Sequence, residues 1–158
     1  MPSISDQKES QIHETPILLF DCQFADGHQE SWSTHRITVN GTNYRAAVLA
    51  HNAFDLRSLS EDAIDASARL NLTLANADSY YSQLESIRGT KGARLTVRFL
   101  FYDLVNDAPA SEVSTLFRGI ANAPESITES QFRVSFNNRL SLQRTLLPNV
   151  RMQKRCPW

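Results

Sequence analysis

Leu70-Asn71-Leu72-Thr73-Leu74-Ala75, then Asp78-Ser79-Tyr80-Tyr81-Ser82-Gln83-Leu84-Glu85-Ser86-Ile87-Arg88-Gly89, then Arg94-Leu95-Thr96-Val97-Arg98-Phe99-Leu100-Phe101-Tyr102 is the stretch whose changing period decides the fold. Leu70, Leu72 and Leu74 alternate with Asn71, Thr73 and Ala75, which is a strand with one buried face. The period then lengthens. Asp78 is placed to cap a helix, Tyr80, Leu84 and Ile87 fall at helical spacing, and Gly89 can end it. From Arg94 the alternation returns, with Leu95, Val97, Phe99 and Phe101 on one face and Arg94, Thr96, Arg98 and Leu100 on the other. The reading is a single short helix set between strands.

Outward from that centre the strand signals continue. Ile17-Leu18-Leu19-Phe20 with Cys22 is an apolar run between Pro16 and the turn-like Ala25-Asp26-Gly27, which fits a buried strand. Trp32, Thr34, Arg36 and Thr38 alternate with Ser33, His35, Ile37 and Val39 and meet Asn40-Gly41, after which residues 42 to 49 are again strand-like. Both central residues of a type I′ turn need positive φ, so Asn-Gly here predicts a hairpin. Residues 103 to 114 read as a loop, and 115 to 121 as a strand. Residues 127 to 137 form another, with Phe132, Val134 and Phe136 on one face, and Leu140-Ser141-Leu142 adds a last strand before Pro148. The expected fold class is mainly β, an antiparallel sandwich or barrel with one short flanking helix. Residues 1–15 are polar and aperiodic and are expected as a flexible N-terminal arm, 16–147 as the β domain, and 148–158, with Pro148 and Pro157, as a C-terminal arm.

At 158 residues and 41% apolar content the chain is long enough for one ordinary domain. It has no run of eighteen apolar residues, and its N-terminus lacks a basic region followed by an apolar one. A soluble product made in the cytoplasm, off the membrane in its resting state, is therefore expected. Cys22 and Cys156 do not make a disulfide framework. The net charge of -1 conceals a gradient. Residues 1–30 hold Asp6, Glu9, Glu14, Asp21, Asp26 and Glu30 against Lys8; residues 129–158 hold Arg133, Arg139, Arg144, Arg151, Lys154 and Arg155 against Glu129. Arg133, Arg139 and Arg144 recur along a strand-like region and, with Arg151 and Arg155, are the expected interface residues. Arginine's planar fork suits such pairing better than a lysine does. Aromatics are too sparse among these arginines for a nucleic-acid reader.

Catalytic motifs are absent: there is no phosphate loop, no Gly-x-Ser-x-Gly and no Gly-x-Gly-x-x-Gly. His13, His28, His35 and His51 share no metal-pair spacing, and Glu61, Asp62 and Asp65 read as a solvated acidic segment. Two alternatives stay open. A carbohydrate-binding β-sandwich would expose Trp32, Tyr44, Tyr80 or Tyr81 as stacking platforms, and a hydrolase would converge His35, His51 and Asp55 in a cleft.

The end of the chain carries a resemblance. Ile127-Thr128-Glu129-Ser130-Gln131-Phe132-Arg133-Val134-Ser135-Phe136-Asn137-Asn138-Arg139-Leu140-Ser141-Leu142-Gln143-Arg144, Leu147-Pro148 and Arg155-Cys156-Pro157-Trp158 resemble the tail-tip hub proteins of long-tailed phages and gene transfer agents. The strand, helix, strand order around residues 78 to 89 is similar to the tail-tube-like domain of that family. The resemblance implies no enzyme but a homotrimeric ring at the tail tip of a virion, assembled in the host cytoplasm. Such a ring joins the distal tail and tube proteins to the central fibre or host-recognition protein and lines the channel through which DNA passes without sequence recognition. It also implies that Cys156 is the first ligand of an iron–sulfur cluster in the complete protein, whose other ligands lie in a cysteine-rich module beyond this sequence. No cofactor is expected within the chain itself.

Overall fold

The structure, a computed structural model, describes residues 15–53, 69–103 and 106–138. The elements are β1 (Thr15–Gln23), β2 (Gln29–Ser33), β3 (Ile37–Val39), β4 (Thr42–Ala46), β5 (Val48–His51), β6 (Arg69–Ala75), α1 (Tyr80–Arg88), β7 (Arg94–Asp103), β8 (Ala108–Pro109), β9 (Ser114–Ala121), β10 (Ser126–Ile127) and β11 (Gln131–Asn138). The fold is mainly β, and the strands join in one mixed sheet of order β3-β4-β2-β1-β7-β9-β11-β6-β5, with β8 on β7 and β10 on β11. Its described pairs are antiparallel except β2 with β4.

The β4 side of that order meets its β5 end at one residue. Ala47 alone separates β4 from β5. Its N–H donates to the Ser33 carbonyl at 3.1 Å, and its carbonyl accepts the Ala75 N–H at 2.8 Å. Ala47 thus belongs to the β2 side and the β6 side at once, and the sheet curls round until it closes there. The curl brings the two ends of a long sheet together at this point, although β3 and β5 remain the terminal strands of the order.

Side-chain alternation then sorts the core. Leu18, Phe20 and Cys22 of β1 join Leu70, Leu72, Leu74, Leu95, Val97, Phe117, Phe132, Val134 and Phe136 inside the curled sheet. Ile17 and Leu19 point the other way and form a second core with Ile37, Val39, Tyr44, Leu100 and Tyr102, where the β3–β4 hairpin covers the outside of β1 and β7. A strand buried on both faces reads as an unbroken apolar run, which accounts for residues 17 to 20.

Asn40 and Gly41 have φ of 52° and 79°, and they turn β3 into β4 as the sequence predicts. Other expectations need correction. The run from 42 to 49 breaks at Ala47, because its second half pairs with β6 instead of continuing the hairpin. Ser126–Ile127 and Gln131–Asn138 form two strands joined by a turn, fastened by the Gln131 N–H on Thr128 Oγ1 at 3.0 Å, where a single strand from 127 to 137 is expected. The expected loop from 103 to 114 contains β8. In β7 the face of Leu100 is buried too, under the hairpin. The helix buries Tyr81 and Leu84, while Ile87 is 77% exposed, so the predicted face is rotated. The predicted strand at 140 to 142 and both arms up to residue 14 and from 148 lie outside the described residues.

Asn76 sets the helix in place. This fully buried side chain accepts the Tyr81 N–H at 3.1 Å through Oδ1, and its Nδ2 donates to Thr128 O at 2.8 Å and Ser82 Oγ at 2.7 Å. Asp78 acts locally, accepting the Tyr80 N–H at 3.2 Å, while Ser79 occupies the cap position in a left-handed conformation.

Candidate functional site

Burial decides the fate of the aromatic and catalytic candidates. Trp32, Tyr44 and Tyr81 are each 1–2% exposed, so they are core residues, and only Tyr80 is partly open. Trp32 and Tyr81 meet edge to face, with ring centres 5.9 Å apart, and Tyr81 packs on Phe132. His35 lies in the β2–β3 turn with Nδ1 2.9 Å from Thr34 Oγ1, His51 sits on β5 against the Phe20 ring, and Asp55 lies outside the described residues. Among the described residues no group of three or more His, Cys, Asp or Glu is placed to hold a metal ion. Cys22 is buried, and burial, followed by the charges of Glu30 and Asp21, pushes its thiol up to about 12. Cys156 lies outside the described residues.

Glu30 on β2 gathers the first polar network. Its Oε1 accepts the Tyr80 hydroxyl at 2.6 Å and lies 2.9 Å from His28 Nε2, while Oε2 accepts Trp32 Nε1 at 3.3 Å. The carboxylate thereby holds the helix to β2. The hydrogen bond to Glu30, followed by burial, pushes the Tyr80 hydroxyl up to about 12. Arg45 closes this corner, its guanidinium 4.6 Å from the Tyr80 ring centre and Nη2 2.6 Å from Asp78 Oδ2.

Asp21 anchors the second network, on the outside of the barrel. Arg98 donates to Asp21 Oδ2 from Nε at 2.8 Å and from Nη2 at 2.5 Å, and Tyr44 and Ser31 donate to Oδ1 at 3.0 and 3.2 Å. Arg98 Nη2 also reaches the Tyr44 hydroxyl at 2.7 Å, so the hairpin is fastened to β1 and β7. Burial, followed by the Asp21 charge, raises the Tyr44 pKa. A groove of about 350 Å³ opens beside these groups, lined by Gln23, Glu30, Thr42 and Arg94 among others. It has no aromatic wall for a sugar ring to stack on.

The strand register assembles the third feature. Arg94, Thr96 and Arg98 alternate with the buried Leu95 and Val97, so they face outward on β7. Arg94 lies opposite Ile120 of β9, and Thr96 opposite Arg118. Ile120 in turn faces Asn137 of β11, which faces Arg69 of β6, and Arg133 faces Thr73. Cross-strand partners share a face, so Arg94, Arg98, Arg118, Arg69 and Arg133 stand on one outer surface. Two carboxylates meet them. Asp21 takes Arg98, and Glu125 pairs with Arg69, its own pKa lowered by the Ser135 hydroxyl and then by Arg69. Among the described residues Arg94 and Arg118 have no ion pair, and Arg133 bonds only Gln131 Oε1, at 3.0 Å. Arg133 is thus the one predicted interface residue that the structure describes, and it is exposed; Arg139, Arg144, Arg151 and Arg155 lie outside the described residues. Arg94, Arg118 and Arg69 are missed by sequence reasoning, because their common face is a product of pairing between distant strands.

These features define a closed, mainly β domain with one helix and an arginine-bearing outer face. It is similar in fold to a solved chain of the "Virion of native gene transfer agent (GTA) particle", with a TM-score of 0.62, 16% sequence identity, and coverage of 99% of this chain and 49% of that one. The chain therefore spans about half the length of the solved chain that it matches. No family model and no curated protein matches the sequence.

Proposed function

We propose that this chain is a structural component of a phage or phage-like particle, in the tail tip or baseplate hub. Three copies form a ring that joins the distal tail tube to the central fibre or host-recognition protein and surrounds the channel for DNA. The observation that carries the reading is the likeness in fold, along nearly the whole chain, to a chain of a gene transfer agent virion. The wording of residues 127 to 158 points the same way. The burial of Trp32, Tyr44 and Tyr81 counts against the carbohydrate-binding alternative.

Cys156 belongs to the same reading, as the first thiolate ligand of an iron–sulfur cluster in the complete protein. Lys154 and Arg155 beside it favour the thiolate. Mass measurement of native particles, with the iron content, tests both parts. Three copies per tail and iron that disappears in a Cys156→Ser full-length protein are expected. A chain absent from purified particles would overturn the structural role, and its presence without iron would overturn only the ligand assignment.

A further inference from the structure

We propose that the outer face of β7, β9, β11 and β6 docks on an acidic protein surface of a neighbouring virion subunit of different sequence, and is turned away from DNA. This rests on the structural role proposed above and adds to it which face meets which kind of partner.

Charge sets the partner's sign. Five arginines stand on the face, and the carboxylates of Asp21 and Glu125 answer two of them, so three positive charges remain. Arg94 and Arg118 are exposed and diagonal across β7 and β9, with Ile120, half-buried, beside them. Leu116, 46% exposed, stands at the β9 bulge next to Thr115, which faces Arg98. Apolar side chains among arginines, with no lysine, make the composition of a protein interface, where arginine is enriched and lysine depleted. A phosphate backbone would be served poorly by the same surface. Asp21 and Glu125 would stand within the footprint and repel it, and the face presents no aromatic ring on which a base could stack. A channel wall must also let DNA slide, whereas each phosphate that an arginine neutralises adds salt-dependent affinity.

A second copy of this chain fits less well than a different subunit. Among the described residues Asp26, Asp78 and Glu125 are already paired with Arg88, Arg45 and Arg69. The exposed acids outside ion pairs, Asp107, Glu112 and Glu129, are split between the β7–β9 connection and the β10–β11 turn, so they do not make one acidic surface to answer the face.

The test replaces Ile120 with a photo-crosslinking amino acid in the full-length protein and irradiates purified particles. In parallel an Arg94→Glu/Arg118→Glu protein is followed into particles, with circular dichroism as the check on folding. Expected are a cross-link to an Asp- and Glu-rich peptide of another virion protein and a fall in incorporation of roughly tenfold or more, with an unchanged spectrum. The neutral Arg94→Gln/Arg118→Gln pair falls less, which a general loss of folding would not reproduce. A cross-link to DNA or to a second copy, salt-dependent binding of a 20-base-pair duplex that the charge reversal abolishes, or normal incorporation of the reversed protein would each overturn the assignment while leaving the structural role standing. Absence of the unmodified chain from particles would overturn both.

Discussion

Cys22 shows what a single buried position dictates. Its thiol is 2% exposed beside two carboxylates, so the native state holds its proton up to about 12 whereas an unfolded thiol loses it near 9. The raised value fixes the sign: this contribution is fully present below pH 9 and is lost as the pH climbs towards 12. In a Cys156→Ser protein, a thiol reagent at pH 8 should find no reactive group until denaturant is added, and a fast native reaction would contradict this burial. Gly119 is a position of another kind. A methyl group there would come within 2.5 Å of the Phe117 ring and 2.9 Å of the Asn137 carbonyl, and the latter is backbone that cannot step aside. Gly119→Ala should cost about 1–3 kcal/mol in a denaturant titration, with the fold retained. Asp21 was not legible as a structural anchor: the sequence counts it only among the acids of residues 1–30, and no local pattern encodes its partner Arg98, 77 residues away.

At the level of elements, the helix depends on Asn76 more than on its own turns. A helix of nine residues is marginal alone, and this one is fixed to the β10–β11 turn through the Asn76 bond to Thr128 and to β2 through Tyr80 and Glu30. Asn76→Ala leaves the Tyr81 N–H and the Thr128 carbonyl without their partner, and should lower stability by about 2–3 kcal/mol and the helical circular dichroism signal with it. A loss below 0.5 kcal/mol, about the smallest net worth of one such bond, would mean the anchor lies elsewhere. Elements with local signals were legible: the Asn40-Gly41 turn, the alternation of β6 and β7, and the presence of α1. The rotation of the helix was not, because Tyr80 and Tyr81 satisfy the same spacing and only the tertiary anchor chooses between them. The parallel pairing of β2 with β4 was hidden for the same reason, since strand order is decided across the whole chain.

For the molecule as a whole, the mainly β class followed from counting strands and one helix, and the likeness to the virion chain accords with it. The candidate docking face was legible only at Arg133 and in the shared strand face of Arg94 and Arg98, since Arg118 and Arg69 join them only through pairing between strands, Arg118 opposite Thr96 and Arg69 opposite Asn137. The closure at Ala47 has a consequence in time. Its bonds to Ser33 and Ala75 tie β2 to β6 through a single residue, whereas long ladders hold β1 to β7 and β11 to β6. A seam of two hydrogen bonds is the weakest link of the curl, and one residue makes its two sides part together. The amide protons of Ala47 and Ala75 should exchange with solvent at matched rates, faster than those of β7, and Ala47→Pro, which removes the donor to Ser33, should speed exchange at Ala75 while leaving the middle of β7 protected.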